Sequence, residues 1–163
     1  MFLRNRFNTE FGKQLFVEGL LNKTIQTIGI NKRRVSDENI CSSDLCYEAV
    51  KKLLTDTKTE TGEIDVLIFV SQTPDFRIPA TSCLLQHRLG LAKITAAFDI
   101  NMGCSGYVYG LAVAFTFANL PSVRKVLLLV GDTVTKFTSW QDKASALLFG
   151  DAGSATLVEK KNS

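Results

Sequence analysis

A run of apolar residues near the middle of the chain constrains the fold more than any other feature. It covers residues 64–71, and only Asp65 and the terminal Ser71 interrupt it. A strand without polar alternation must be covered on both faces, which is typical of parallel sheets. A second such run covers residues 126–130. Because helical spacing separates the two runs, the chain predicts a layered α/β fold with a mostly parallel central sheet.

The remaining patterns divide the chain into further elements. Ser42 or Ser43 can cap a helix whose buried side would carry Leu45, Ala49, Val50, Leu53 and Leu54. Helical spacing also occurs up to about residue 27, in residues 80–89 and in residues 106–118, and residues 55–62 predict a polar surface loop. Short strands are predicted for residues 97–101, 144–149 and 154–159, the last two joined by a tight turn at residues 150–153.

Composition and charge exclude several classes of protein. The 163 residues suffice for one compact domain, and the net charge of +3 comes from Lys and Arg residues that are scattered along the chain. We therefore expect no nucleic-acid binding. No apolar run reaches the roughly 20 residues that span a bilayer, and Arg4 and Arg6 interrupt any signal-peptide core. These observations predict a soluble cytoplasmic protein that does not bind membranes.

Four cysteines are present, with no C-x-x-C pair and no cluster with histidine. The pattern predicts no zinc or other metal site. In a reducing cytosol we expect free thiols, and most free thiols are inert structural residues. Cys41, Cys46 and Cys83 fit that description, whereas Cys104 lies in a different kind of segment.

Cys104 stands between a predicted strand and a predicted helix, with Gly103 before it and Ser105 and Gly106 after it. We call residues 102–106 the elbow. The start of a helix carries unpaired N–H groups and about half a positive charge, which stabilise a thiolate. The same N–H groups can hold the oxyanion that forms when a thiolate attacks a thioester. The elbow therefore predicts a nucleophile, with Gly103, Ser105 and Gly106 as its oxyanion-binding turn.

The surroundings of the elbow carry further expectations. Gly103 and Gly106 would keep a substrate's approach open, and Gly103 would permit a strained turn. The helix that follows is apolar on all sides, so we expect it in the middle of the protein, with Cys104 at the bottom of a tunnel. The alternative, from the residues alone, is a buried structural cysteine at the start of a helix.

The segment around the elbow resembles the active-site region of the β-ketoacyl-acyl-carrier-protein synthase III family of thiolase-fold condensing enzymes. The matching residues are Phe98, Asp99, Cys104, Ser105, Gly106, Tyr107 and Gly110. Further matching segments, in the same order as in the family, are residues 27–34, 71–75, 78–83, 126–131, 140–143 and 148–155. The resemblance therefore covers the chain from about Thr27 to Val158.

The resemblance implies a decarboxylative Claisen condensation in fatty-acid or related acyl-chain biosynthesis. Cys104 would accept an acyl group from a thioester, and a malonyl group on an acyl carrier protein would then lose CO₂ and attack it. The family also uses a His and an Asn from the second half of its duplicated fold, whereas His87 is the one histidine here and is predicted to lie on the surface or at an interface. We therefore expect residues 1–163 to be an N-terminal half-domain, without the family's first strand and C-terminal half and inactive in condensation alone.

Other positions bear on substrates and partners. Lys23 and Thr27 stand where coenzyme A-using members have Trp and Arg, and Lys143 replaces an Arg. Lys143 can meet a phosphate but stacks poorly on adenine, so a carrier-borne acyl donor competes with acyl-coenzyme A. A solvated surface lysine is an equally favoured interpretation of Lys143. Phe149 lies where the family lines its acyl pocket, although an ordinary core phenylalanine is the preferred interpretation. Ile78 matches a side chain that reaches toward the partner's pocket, so the resemblance implies a homodimer, and no cofactor is expected.

Two alternatives stay open. The chain could be a non-catalytic or partner-dependent subunit that binds acyl chains, or a relative of hydroxymethylglutaryl-CoA synthases or thiolase-fold hydrolases. Retention of Cys104 favours an acyltransferase. Asp99 and Asp151 are interpreted as hydrogen-bonding residues at strand ends and turns rather than as acids or bases.

Overall fold

The computed structural model describes residue 23 and residues 25–30, 32–139, 142 and 145–160. These residues form two compact units. The sheet unit contains the described residues of Ile40–Asp132 and Ala152–Ser163, and the second unit contains those of Met1–Asn39 and Thr133–Asp151. The predicted helix before residue 27 lies mostly outside the described residues, of which 25–28 are helical.

The sheet unit contains seven principal elements in the order α1, β1, α2, β2, α3, β3, β4. The helices are α1 Ser42–Thr57, α2 Thr81–Arg88 and α3 Gly106–Ala118, and the strands are β1 Ile64–Val70, β2 Ala96–Ile100, β3 Lys125–Asp132 and β4 Ala152–Glu159. A short 3-10 turn, Thr61–Glu63, precedes β1. The strands predicted at residues 64–71, 97–101, 126–130 and 154–159 are confirmed, as is the helix predicted at residues 80–89.

The four strands form one sheet in the order β2-β1-β3-β4. β1 pairs parallel with both β2 and β3, and β4 pairs antiparallel with β3. Six of the seven residues of β1 are buried, because this central strand is covered on both faces. The predicted α/β class with a mostly parallel sheet is confirmed.

Helix α3 packs on one face of the sheet through its smallest residues. Its buried positions are Gly106, Gly110, Ala114 and Ala118, spaced four apart. A Cβ atom on Gly106 would lie 2.6 Å from Cγ1 of Val70, and one on Gly110 would lie 2.8 Å from Cδ1 of Leu128. The helix backbone therefore lies close to β1 and β3, and the core on this face consists mainly of aliphatic strand residues (Val66, Ile68, Val70, Val126, Leu128 and Val158).

Helices α1 and α2 pack on the opposite face, where Leu67, Phe69, Leu127 and Leu129 point. The contact of α1 with β4 is tightest at Gly153, where a Cβ atom would lie 2.5 Å from the backbone N of Cys46. Gly153 is therefore a packing residue within β4, paired with Gly131. The predicted tight turn at residues 150–153 is wrong, because β4 already begins at Ala152.

The strand predicted at residues 144–149 is also wrong in its described part. Residues 145–148 form a turn in which Ala146 N donates to Asp142 O at 2.9 Å and Leu148 N donates to Ser145 O at 3.0 Å. The apolar run resembles a strand in sequence, but its backbone groups are satisfied locally rather than by a neighbouring strand.

The start of α1 differs from the prediction. Cys41, not Ser42 or Ser43, is the N-cap, and its N–H donates to Asp44 Oδ2 at 2.8 Å. Ser42 and Ser43 are buried, and the Asp75 carboxylate satisfies their polar groups by accepting hydrogen bonds from Ser42 Oγ at 3.3 Å and from Ser43 N at 3.1 Å. The buried side therefore runs through Ser42, Ser43, Cys46 and Val50, while Leu45 and Ala49 are half-buried. The helix continues to Thr57, so the predicted loop at residues 55–62 is shorter than expected.

Asp151 organises the described part of the second unit. Its carboxylate accepts hydrogen bonds from Ser36 N and Oγ, both at 2.8 Å, and from Thr135 N at 2.9 Å and Oγ1 at 2.6 Å. Its N–H donates to Arg34 O at 2.9 Å. Burial raises the pKa of Asp151, but the hydrogen bonds from Thr135 and Ser36 outweigh burial and hold it below its usual range. The interpretation of Asp151 as a hydrogen-bonding residue is confirmed.

Candidate functional site

The three parallel strands bring their carboxyl ends to one edge of the sheet. β1 ends at Val70, β2 at Ile100 and β3 at Asp132. The elbow follows β2 directly, and the loop beginning at Ser71 follows β1. In open parallel sheets this edge is where ligands bind, so the topology places the predicted nucleophile where chemistry is expected.

The elbow is a compact turn held by its own backbone. Met102 N donates to Ile100 O at 3.1 Å, and Gly106 N donates to Gly103 O at 2.7 Å. Ser105 is the N-cap of α3, and its carbonyl accepts from Tyr109 N at 3.2 Å. Cys104 therefore stands immediately before the first turn of a thirteen-residue helix. The Gly106 N–H is occupied within the elbow, so an oxyanion would have to use the other N–H groups of this first turn.

Cys104 and Ser105 are exposed. No tunnel leads to Cys104 within the described part of the chain, where α3 covers one face of the sheet and its outer side is exposed. The reason is that small residues fill the inner side of α3, while larger apolar residues point outward. Tyr107, Val108 and Phe115 are exposed by 43%, 70% and 55%. The alternative of a buried structural cysteine is wrong as well.

A Cβ atom on Gly103 or Gly106 would lie close to a side chain elsewhere in the sheet unit. The glycines with positive φ in the described residues are Gly29 and Gly90, so Gly103 does not provide the left-handed conformation. A Cβ atom on Gly103 would instead lie 2.6 Å from Oε1 of Gln72, and Gly106 faces Val70 at the same separation. The expectation that these glycines clear a substrate's approach stays a prediction, and Gly106 in addition lets α3 pack closely on β1.

The other three cysteines differ from Cys104. Cys46 is fully buried in α1, and burial raises the pKa of its thiol to about 12. Cys41 is half-buried at the N-cap of α1, and Cys83 is exposed on α2. The expected buried, inert thiol is found at Cys46. Cys41 and Cys83 differ from that expectation, because both retain access to solvent.

Asp99 and His87 lie where the sequence predicted. The Asp99 carboxylate accepts hydrogen bonds from Thr81 N and Ser82 N, both at 2.8 Å, and so caps the start of α2 from the neighbouring strand. This confirms Asp99 as a hydrogen-bonding residue at a strand end. His87 is exposed near the end of α2, as predicted for a surface residue.

The tentative substrate and partner residues are not gathered by the structure into one site. Ile78 is 90% exposed in the loop between β1 and α2. Phe149 belongs to the second unit, where its carbonyl accepts a hydrogen bond from Arg33 Nη1. Its ring is 41% exposed, so the preferred interpretation of Phe149 as an ordinary core residue is wrong. Lys143 lies outside the described residues.

Sequence reasoning missed the polar network beside the elbow. Oδ1 of Asp132 accepts hydrogen bonds from Ser71 Oγ, Gln72 N and Thr73 Oγ1, each at 2.9 Å, and from Thr73 N at 3.0 Å. A cavity of about 550 Å³ opens along the same loop, and Gln72, Arg77 and Asn101 contribute to its wall. The available signal is a polar residue at the end of each of the two most apolar strands, Ser71 just after β1 and Asp132 as the last residue of β3.

Two structural absences concern the described part of the chain. Within it, no three Asp, Glu, His or Cys side chains lie close enough together to hold a metal ion. None of the helices that it contains is both long and apolar enough to cross a bilayer.

Comparison with known proteins connects this geometry to a family. Residues 98–163, which include the elbow, match the family model described as 3-oxoacyl-[acyl-carrier-protein (ACP)] synthase III. A β-ketoacyl-[acyl-carrier-protein] synthase III of Syntrophomonas wolfei is 38% identical over 85% of this chain and 41% of that protein. Another, from Caldanaerobacter subterraneus, is 36% identical over 99% of this chain and 49% of that protein.

Solved structures agree with the sequence matches. A 3-oxoacyl-(acyl-carrier-protein) synthase from Burkholderia xenovorans superposes with a TM-score of 0.88 at 41% identity, over 92% of this chain and 43% of that one. The β-ketoacyl-[acyl carrier protein] synthase III of Thermus thermophilus gives 0.82 at 34% identity, over 93% of this chain and 47% of that one. The chain thus spans less than half the length of these relatives, and its fold is thiolase-like. Over the residues that it spans, the chain is a member of the 3-oxoacyl-[acyl-carrier-protein] synthase III family.

Proposed function

We propose that Cys104 is the acyl-accepting nucleophile of a 3-oxoacyl-[acyl-carrier-protein] synthase III-type acyltransferase. The observation that carries the proposal is the position of this exposed thiol, at the carboxyl edge of a parallel sheet and directly before the first turn of α3. Helix N-termini stabilise thiolates, and an exposed thiolate can reach a thioester.

The first half-reaction is a thioester exchange. The Cys104 sulfur bonds to the carbonyl carbon of an acyl thioester, and the bond from that carbon to the donor sulfur breaks. The departing thiolate takes up a proton, so the products are acyl-Cys104 and a free donor thiol. Unpaired N–H groups in the first turn of α3 are positioned to stabilise the oxyanion between these two states.

The second half-reaction forms the carbon–carbon bond with malonyl-acyl carrier protein, in fatty-acid or related acyl-chain synthesis. The named relatives are about twice as long as this chain. We propose that the His and Asn that the family uses in this step come from a C-terminal half, in cis or in trans. The exposed apolar side of α3 supports this proposal, because it is an apolar surface of the kind that partner segments cover.

The donor and partners belong to the same proposal. The donor is acyl-coenzyme A or an acyl carrier protein, no further cofactor takes part, and the location is cytoplasmic. Ile78 supports a homodimer, because it is a large apolar side chain that is 90% exposed. The sedimentation behaviour of the chain tests the dimer.

The nucleophile is tested by incubating the chain with acetyl-coenzyme A or an acetylated acyl carrier protein and measuring the intact mass. We expect one acetyl group per chain, released by hydroxylamine and located on Cys104 by peptide mapping. Cys104→Ala should remove the modification, while Cys83→Ala, which deletes another exposed thiol, should retain it. Acetylation that persists in Cys104→Ala, or none on the unchanged chain, would contradict the assignment and favour an acyl-binding role.

A further inference from the structure

Asp132 is the most heavily hydrogen-bonded acceptor near the elbow in the described residues. One of its carboxylate oxygens, Oδ1, accepts from two hydroxyl groups and two backbone N–H groups, all in residues 71–73 and all at 2.9–3.0 Å. Hydrogen bonds to an ionised acceptor are about twice as strong as neutral ones. The end of β3 therefore holds the beginning of the loop that follows β1.

The same loop is also joined to β2. Ser71 N donates to Ile100 O at 3.2 Å, so the ends of all three parallel strands are linked through Ser71 and Asp132. Ser71 is buried, while the next residue, Gln72, turns outward. With its N–H bound to Asp132, Gln72 has a fixed backbone position from which its side chain extends.

The side-chain amide of Gln72 lies against the elbow. A Cβ atom built on Gly103 would be 2.6 Å from Oε1, 3.1 Å from Cδ and 3.6 Å from Nε2 of Gln72, so the whole amide group covers the face that a side chain at Gly103 would occupy. The Gly103 carbonyl accepts the hydrogen bond that closes the elbow around Cys104, from Gly106 N at 2.7 Å. A displacement of Gly103 is therefore transmitted to the turn that carries the thiol.

We infer that Asp132 and Gln72 are positioning residues for Cys104, with Gln72 in contact with the elbow and Asp132 acting through Gln72. This inference rests on the proposed function of Cys104. Neither residue transfers a proton or touches the acyl group in this scheme. Their effect is to hold the elbow in the orientation from which the thiolate attacks a carbonyl, and such orientation contributes much of the advantage of an enzyme-bound nucleophile.

The sheet offers a matched control at its other end. Asp65 also accepts hydrogen bonds from a strand-connecting segment, from Arg124 N at 2.6 Å and from Lys125 N at 3.3 Å. It lies near the beginning of β1, away from the elbow. Asp65→Asn and Asp132→Asn thus remove the same carboxylate charge, and Asp65→Asn also breaks an ion pair with Arg124 Nη2 at 2.8 Å. Only the hydrogen bonds of Asp132 lie beside the elbow.

The experiment compares two reactions of Cys104 in the unchanged chain and in the variants Gln72→Ala, Gln72→Met, Asp132→Asn and Asp65→Asn. Acyl transfer from acetyl-coenzyme A or an acetylated carrier protein requires an oriented thiolate. Alkylation by iodoacetamide, followed from pH 6 to pH 10, reports thiolate content with little demand on orientation. Circular dichroism establishes that each variant is folded, and the exposed position of Gln72 makes its variants the safest in this respect.

We expect Gln72→Ala and Asp132→Asn to slow acyl transfer by about tenfold while the alkylation profile shifts little. Gln72→Met, which restores the length of the side chain, should recover most of the rate, and Asp65→Asn should match the unchanged chain. Acyl transfer within about twofold of the unchanged chain in both Gln72→Ala and Asp132→Asn, or an equal loss in Asp65→Asn, would overturn the inference. If Cys104 of the unchanged chain accepts no acyl group, the proposed function itself fails, and that result is distinct from the other two.

Discussion

Helices α1 and α3 cover opposite faces of one sheet but present different surfaces to solvent. The outer side of α1 is charged and carries the ion pairs Lys51–Glu48 and Lys52–Asp56, each at 3.2 Å. The outer side of α3 is apolar, with Val108 exposed by 70% and Phe115 by 55%. α1 is therefore an ordinary amphipathic surface helix with a polar outer side, whereas α3 has the composition of an interface helix.

The cysteines associated with the two helices differ in the same way. Cys46 is fully buried on the inner side of α1, and Cys104 is exposed just before α3. Burial keeps the Cys46 thiol protonated by raising its pKa, whereas the Cys104 thiol is open to solvent. The comparison teaches that the solvent access of a thiol follows from its position relative to its helix, since both thiols belong to helices on the same sheet.

The largest expected difference is in the alkylation of these two thiols. With its pKa raised to about 12 by burial, Cys46 should react with iodoacetamide at pH 8 roughly 10³-fold more slowly than free cysteine. The exposed Cys104 should react much faster than Cys46. The rate of Cys46 should rise about tenfold for each pH unit until the pH approaches that pKa. Peptide-resolved mass spectrometry measures both rates, and in denaturant the two should become similar. Equal alkylation rates for Cys46 and Cys104 in the native chain would contradict the difference in burial between the two thiols.

A smaller effect is expected from alanine at two closely packed glycines, Gly153 against α1 and Gly110 in α3. Gly153→Ala places a Cβ atom 2.5 Å from the backbone of α1, whereas Gly110→Ala meets the ends of the Leu128 and Val70 side chains at 2.8 and 3.0 Å. Backbone yields less than a side-chain end, so we expect Gly153→Ala to lower the free energy of unfolding by about 3 kcal/mol. Gly110→Ala should cost about 1 kcal/mol, since alanine also favours the helix. Urea unfolding that ranks the two in the opposite order would contradict this account of the two faces.

The smallest effect on stability should come from the outer sides of the helices. Phe115→Gln on α3 and Lys52→Gln on α1 should each change the free energy of unfolding by less than about 0.5 kcal/mol, because both side chains are largely exposed. Self-association should nevertheless fall in Phe115→Gln and stay unchanged in Lys52→Gln. Light scattering across a range of concentrations distinguishes the variants. If self-association fell equally in both variants, the outer side of α3 would promote it no more than that of α1.

The fold was predictable where a strand is buried on both faces. The runs at residues 64–71 and 126–130 have no alternation, and this alone defines the centre of a parallel sheet. Residues 145–149 misled because an apolar run followed by glycines also describes a hairpin. The role of Gly153 depends on a helix more than a hundred residues earlier in the chain, and local sequence carries no record of that contact.

The sequence predicts the nucleophile of the candidate site, Cys104, but not the residues that hold the elbow in place. Cys104 stands out because glycines and a helix start surround it within five residues. Asp132 and Gln72 are separated from it by 28 and 32 positions, and they reach the elbow only through the order of the strands. The exposure of Cys104 is not predictable from its own segment, because an apolar helix indicates cover on every side, whereas the outer side of α3 is exposed in the described residues.

The small residues beneath α3 have a consequence for variation in proteins of this kind. Between Gly106 and Ala118, helix α3 packs on the sheet over a length of about 18 Å, at a rise of 1.5 Å per residue. A bulkier side chain at Ala118 would lift the C-terminal end of α3 from the sheet and so tilt its N-terminal end, which lies next to Cys104. Substitutions that alter the rate of acyl transfer should therefore be found at the tail of α3 as well as around the thiol, and a search restricted to substrate-facing residues would overlook them.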